Sequence, residues 1–206
     1  MASQGPYAPA SNAVAQTFDV PWDVPANGYS DNSTYASTTT NTITDQSDWH
    51  SWDNFGFTIP AGATIDGIVV EFNDPTPLTF GQLQFALTKD NFIAETSWAD
   101  LAPVGGWDTY GGPTNLHGAT WTADEINDPD FGVMLVAIAS ANVSQTAYFD
   151  AIRVTVYYTE TTPQQYAYPD ADVAAGSWTS TGANLWSVLD ETGADDDADY
   201  ITGVAT

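Results

Sequence analysis

"FTIPAGATIDGIVVEF", residues 57–72, decides the fold class. In its second half Ile68, Val70 and Phe72 fall on one side of an extended chain, with Asp66 and Glu71 on or near the solvent side. A period of two with one apolar and one wet face describes a strand of an antiparallel sheet packed in a sandwich. Ahead of it, Pro60 and Gly62 are expected at the second and fourth positions of a type I turn that joins this strand to the one before.

The pattern extends outward from there. In "GQLQFALTK" Leu83, Phe85 and Leu87 face inward and Gln82, Gln84 and Thr88 outward. "DFGVMLVAIAS" is apolar on both faces, which predicts a central strand, and "TAYFDAIRVTVYYT" puts Ile152, Val154, Val156 and Tyr158 inward and Arg153 outward. Helical periodicity is absent except in "WTADEI", where Thr122 and Glu125 predict a capping box with Trp121 and Ile126 at the staple positions. Residues 94–119, rich in Gly, Pro and aromatics, predict a long loop or a strand pair interrupted by one. The expected fold is an all-β, antiparallel, jelly-roll-like sandwich over residues 1–160 with one short helical turn. Past Thr159 the Pro-, Gln- and Thr-containing stretch reads as a linker, and 161–206 as a β-rich C-terminal arm or incomplete second module.

That second segment echoes the chain's beginning. "PYAPASNAVAQTFDVPW" followed by "DNSTYAST" resembles "YAYPDADVAAGSW" followed by "DDDADYITG", although Trp22 and Tyr35 are closer together than Trp178 and Tyr200. Residues 163–206, about 44 of this kind, cannot bury a core alone and are expected to stay mobile, to fold back on the first module or to pair with a neighbouring chain's exposed edge.

Charge excludes several classes of partner. The net charge of −25 reflects missing base more than excess acid, because Lys89 and Arg153 are the only Lys or Arg beside 27 Asp and Glu. Nucleic acid and anionic membranes would be repelled. A saline or calcium-containing medium would screen the self-repulsion. No cysteine is present, no basic-apolar leader precedes the first strand, and no apolar run reaches membrane-spanning length. The expectation is a protein made in a host cytoplasm and released by assembly or lysis.

Recognisable catalytic signatures are absent. His50 and His117 lack a metal-ligand spacing, and neither a nucleophile elbow nor a phosphate-binding loop occurs. Paired glycosidase carboxylates are spatial and are not legible in sequence. "DETGADDDADYIT", residues 190–202, offers Asp195, Asp196, Asp197 and Asp199 as calcium candidates, but its spacing is not that of an EF-hand and fits an acidic turn before a strand. "TDQSDWHSWDN" poses the same question with Asp45, Asp48 and Asp53 near His50, and turn chemistry again suffices. Among the aromatics, Trp98 and Trp121 are expected in the core. Trp107 and Tyr110, between glycine pairs, are candidate glycan contacts.

Three segments together, "FTIPAGATIDGIVVEF", "WTADEINDPDFGVMLVA" and "AYFDAIRVTVYYT", resemble a β-sandwich module of tailed-bacteriophage structural proteins and of related prophage and bacterial surface proteins. "PDADVAAGSWTSTGANLWSVLDETGADDDADYI" resembles the opening of another module of the same proteins. The resemblance implies a virion protein of the head-decoration, head-fibre, collar or tail-fibre type, assembling with itself and other virion proteins, without cofactor chemistry. Trp178, Leu185, Trp186, Val188 and Tyr200 are then the expected subunit contacts. A glycan-recognising receptor-binding module is the alternative, and a polysaccharide-cleaving enzyme the third reading.

Overall fold

The computed structural model describes residues 1–74, 81–102 and 105–161, together with the backbone at 166–167 and 200–201. The chain divides into two units, Met1–Glu160 and Thr161–Thr206.

In the first unit the elements are β1 (Ala2–Tyr7), β2 (Ser11–Gln16), a 3-10 turn (Pro25–Gly28), β3 (Ala36–Thr40), β4 (Trp49–Asp53), β5 (Thr64–Asp74), β6 (Gln82–Thr88), β7 (Ala99–Leu101), β8 (Gly106–Gly111), α1 (Ala123–Asn127), β9 (Gly132–Ile138), β10 (Gln145–Phe149) and β11 (Ala151–Thr159). One sheet has the order β1-β11-β5-β8 and the other β2-β4-β9-β6-β7, with β10 and β3 forming a separate pair. Every pairing of named strands is antiparallel. The chain passes directly from one sheet to the other between β1 and β2, β4 and β5, β5 and β6, β7 and β8, and β8 and β9, which is the connectivity of a sandwich rather than of a meander. In the second unit β12 (Tyr166–Ala167) pairs with β13 (Tyr200–Ile201).

The strand built from the opening stretch behaves as its alternation demands. Ile68, Val70 and Phe72 are fully buried, and they join Leu83, Phe85 and Leu87 of β6, Val133, Leu135 and Ala137 of β9, and Ile152, Val154 and Val156 of β11 in one core. Phe72 meets Phe85 across the two sheets at 5.5 Å between ring centroids. β9 lies in the middle of the five-stranded sheet and is buried on both faces. The capping box forms as expected: the Thr122 hydroxyl accepts from the Glu125 N–H, and the Glu125 carboxylate accepts from the Thr122 N–H at 2.8 Å. Trp121 and Ile126 are both in the core.

Several local expectations are corrected. The Ala63 N–H donates to the Pro60 carbonyl at 3.1 Å, so Pro60 opens the turn and Gly62 is its third residue, with φ of 76°. A positive φ at that position belongs to a type II turn, and only glycine adopts it freely. The turn also joins no hairpin, since β4 and β5 lie in different sheets. Thr88 does face outward, but its hydroxyl engages Asp90 beneath the following loop and the residue is fully buried. Residues 146–159 are two strands rather than one. They are broken at Asp150, whose carboxylate accepts from the N–H groups of Asn32 and Ser33, and β10 turns away to pair with β3. Residues 94–119 contain two strands, β7 and β8, in opposite sheets.

Candidate interaction surface

The two aromatic glycan candidates stand three residues apart on β8, and a strand's period of two places them on opposite faces. Tyr110 faces the core, 5.3 Å from Phe85 and 5.9 Å from Phe72, and its hydroxyl accepts from the Ala102 N–H at 2.8 Å. Trp107 faces outward, and the Arg153 guanidinium lies 3.8 Å from its ring centroid. The structure therefore does not bring this pair together into one platform.

Arg153 is the centre of that outward face. Its Nε and Nη2 both donate to Glu71 at 2.8 Å, in a fork that the cross-strand register of β11 and β5 sets directly. Glu71 raises the Arg153 pKa further by accepting these bonds. Both side chains are partly buried, so the pair is not a freely exposed surface contact although Arg153 faces outward. Bidentate geometry and stacking on Trp107 combine two modest gains. Arg153→Ala is expected to lower the unfolding free energy by about 1–2 kcal/mol, above the ordinary value for an exposed pair. Arg153→Lys should recover little of it, because an ammonium cannot reproduce the planar fork. Chemical denaturation of both variants checks this, and unchanged stability in Arg153→Ala would remove the stacking argument.

The other outward face, on the five-stranded sheet, carries an aromatic group that includes Trp98, a residue expected in the core. Trp98, just before β7, continues the outward side that Asp100 takes on that strand, and Trp49 shares the outward side of β4 with Ser51. Their rings meet at 5.1 Å, and Phe18 adds a third ring 5.5 Å from Trp49. All three are partly exposed. On the same face Ala86, Met134 and Val136 are buried despite pointing away from the interior of the sandwich. Gln84 Nε2 donates to Asp100 Oδ1 at 2.8 Å beside them. Trp98 was expected inside because sandwiches of this size bury tryptophans as plugs at the ends of their sheets, but it is only partly buried. Trp121 does lie inside.

The scattered carboxylates mostly hold backbone. Asp45 accepts from the N–H groups of Asn41 and Thr42, and these bonds with the Thr42 hydroxyl lower its pKa. Asp48 accepts from Phe18 N at 2.6 Å, and Asp90 from Phe92 and Ile93 at 2.9 Å. Asp45, Asp48 and Asp53 are thus spread over a loop and two sides of a strand rather than gathered at His50. Among the described residues no three His, Cys, Asp or Glu side chains converge as a metal cluster, and no helix is long and apolar enough to cross a membrane. Asp195, Asp196, Asp197, Asp199, Trp178, Leu185, Trp186 and Val188 lie outside the described residues, and Tyr200 is described only as backbone in β13.

Among the described residues the exposed large apolar side chains are Met1, Tyr7, Val14 and Val24 near the start of the chain and four on loop tips, which the sequence pattern does not single out. β9 runs from Gly132, opposite Thr88, to Ile138, opposite Gln82. Beyond its first end sit Phe92 and Ile93, exposed by 61% and 60%. Beyond its last end sit Ile43 and Val143, exposed by 52% and 60%, on loops joined by a bond from Ile43 N to Asn142 Oδ1 at 2.9 Å. These observations define an antiparallel all-β sandwich with an aromatic outward face and apolar tips at both ends of one sheet. The chain matches no protein-family model, and no curated protein is similar to it in sequence.

Proposed function

We propose that the chain is a non-enzymatic structural protein of a bacteriophage particle, an exterior accessory of the capsid-decoration or head-fibre kind that acts through contacts between subunits. The observation that carries this reading is the placement of paired apolar side chains on loop tips at opposite ends of the five-stranded sheet. A protein of net charge −25 repels its neighbours, and exposed apolar pairs at fixed ends give adhesion that salt does not screen away. The carboxylates that cap loops 41–45 and 90–93 hold those tips in place. The C-terminal segment supplies the further contacts in this reading, through Trp178, Leu185, Trp186, Val188 and Tyr200.

The test is the solution mass of the full chain by light scattering at low and high salt, with co-sedimentation on particles. Assembly is expected to strengthen with salt and to weaken in the double variant Ile43→Ser, Phe92→Ser. A monomer at every ionic strength that also fails to sediment with particles would sink the reading.

A second reading, glycan recognition, is favoured by the partly exposed Trp49–Trp98 pair beside Gln84 and Asp100, because ring faces next to amide and carboxylate groups suit sugar hydroxyls and C–H faces. Glycan-array binding that disappears in Trp98→Ala would transfer support to it.

A further inference from the structure

At the Gly132 end of the five-stranded sheet a carboxylate is buried without a counter-charge. Asp53, the last residue of β4, is only 3% exposed. Its Oδ1 accepts from the Ser11 hydroxyl, and the Ser51 hydroxyl beside it also favours the charged form, while Oδ2 is buried and makes no hydrogen bond of ordinary geometry. Removing a carboxylate from water without pairing it is costly, so such groups meet a cation or take up a proton. The chain has only two Lys or Arg residues to offer. Lys89 is engaged with Glu125 at 2.9 Å and Arg153 with Glu71 at 2.8 Å.

The surroundings of Asp53 are made of oxygen. Asp130 is near enough for its charge to oppose ionisation of Asp53. Asn91, itself buried, donates from Nδ2 to Asp130 Oδ1 at 2.8 Å and accepts at Oδ1 from the Ser51 hydroxyl at 3.2 Å. Directly across the ladder from Asp53 stands Gly132. Its φ is not in the left-handed region, so the backbone does not require glycine there. Space does: a Cβ would come within 2.6 Å of Ser51 Oγ, 2.9 Å of the Trp52 carbonyl oxygen and 3.2 Å of Asp53 Cβ. A small residue thus keeps open the place where Ser51, Asn91, Asp53 and Asp130 meet. Two like charges drawn together, one buried and with an unused oxygen, are stabilised by a cation between them.

We propose that Asp53 and Asp130, with the side-chain oxygens of Asn91 and Ser51, form a site for a hard divalent cation of the calcium class. The donor set is all oxygen, which selects calcium or magnesium over softer metals. Two carboxylates and two neutral oxygens leave the remaining positions to water, which enters from the exposed side of Asp130. This accommodates calcium's irregular six- to eight-fold coordination better than the strict octahedron of magnesium. Its affinity belongs to the weak class of extracellular modules, with a dissociation constant of ~10⁻⁴–10⁻³ M.

Calcium chloride, and separately magnesium chloride, titrated into the chelator-treated full chain near neutral pH tests this by calorimetry and by thermal melting. Calcium is expected to bind and to raise the melting temperature, magnesium to do so less, and Asp53→Asn and Asp130→Asn each to abolish the effect. Asp130 is exposed, so Asp130→Asn folds even if Asp53→Asn does not. Absence of calcium binding, or binding retained in Asp130→Asn, overturns the proposal; retained binding would assign the ion to other acidic residues such as those at 190–199.

Discussion

Replacing Trp52 with alanine is expected to lower the unfolding free energy by about 3–5 kcal/mol, which is comparable to the whole stability of a marginal domain. Trp52 is fully buried on the inward face of β4 and is the meeting point of four rings. Trp22 lies 5.3 Å away, Phe149 5.0 Å and His50 4.7 Å between centroids, with Trp22 and Phe149 edge-on as the aromatic quadrupole prefers. Its Nε1 donates to the Pro25 carbonyl at 2.8 Å and so ties the 3-10 turn to the sheet. Gly28, at the end of that turn, approaches so closely that an added Cβ would fall 2.8 Å from Trp52 Nε1 and 2.5 Å from Phe149. The tryptophan thus joins one end of the sandwich to the 20–30 segment, and alanine leaves a cavity that these packed rings cannot close. Trp52→Phe should cost less, about 1–3 kcal/mol, since it retains a ring but leaves a partly buried carbonyl without its donor. Urea unfolding of the three proteins gives the comparison, and an alanine variant with the wild-type midpoint would show that Trp52 is not the plug described.

The parts of the fold legible in sequence are those whose stability comes from burying side chains at a fixed period. Ile68, Val70 and Phe72, the β6 series and the β9 run announce both their strands and their inward faces, and the Thr122–Glu125 box announces α1. β1 and β2 were not legible because they hold their places by backbone ladders at sheet edges and keep few buried side chains. Outward faces were harder still. Period two told that Thr88 points outward, but not that the loop after it would cover it. Trp98 could not be placed without knowing that β7 is an edge strand beside β6, and of the two alternatives open for residues 94–119 it is the strand at 106–111 that sets Trp107 and Tyr110 on opposite faces. The Asp53–Asp130 site depends on residues from β4, β9's leading turn and the loop after β6, a juxtaposition that no spacing encodes.

His50 is expected to make the fold acid-sensitive in a window that opens well above ordinary carboxylate titration and closes at about pH 4. It is 4% exposed, on the inward face of β4 beside Trp52. Asn12 Nδ2 donates to the Tyr29 hydroxyl, which turns Asn12 Oδ1 toward the ring; His50 Nε2, 2.7 Å from that oxygen, must therefore carry the hydrogen. Nδ1 is then a buried lone pair with no partner, and a second proton there would meet no acceptor. Burial accordingly lowers the His50 pKa from 6.5 to about 4. Above the unfolded value the ring is neutral in both states and pH has no effect through it. As pH falls below 6.5 the unfolded chain binds a proton that the folded chain refuses until about 4, so stability declines across that interval and levels off beneath it. At ~1.4 kcal/mol for each pH unit the full loss is about 3 kcal/mol. His117, also lowered by burial, acts in the same direction, whereas the burial-raised pKa of Asp53 acts oppositely. The informative quantity is therefore the difference between wild type and His50→Gln, which keeps a donor toward Asn12 but cannot titrate. That difference in unfolding free energy should shrink by about 3 kcal/mol between neutral pH and pH ~4. A constant difference would mean that His50 is protonated inside the folded protein and that the assigned tautomer is wrong.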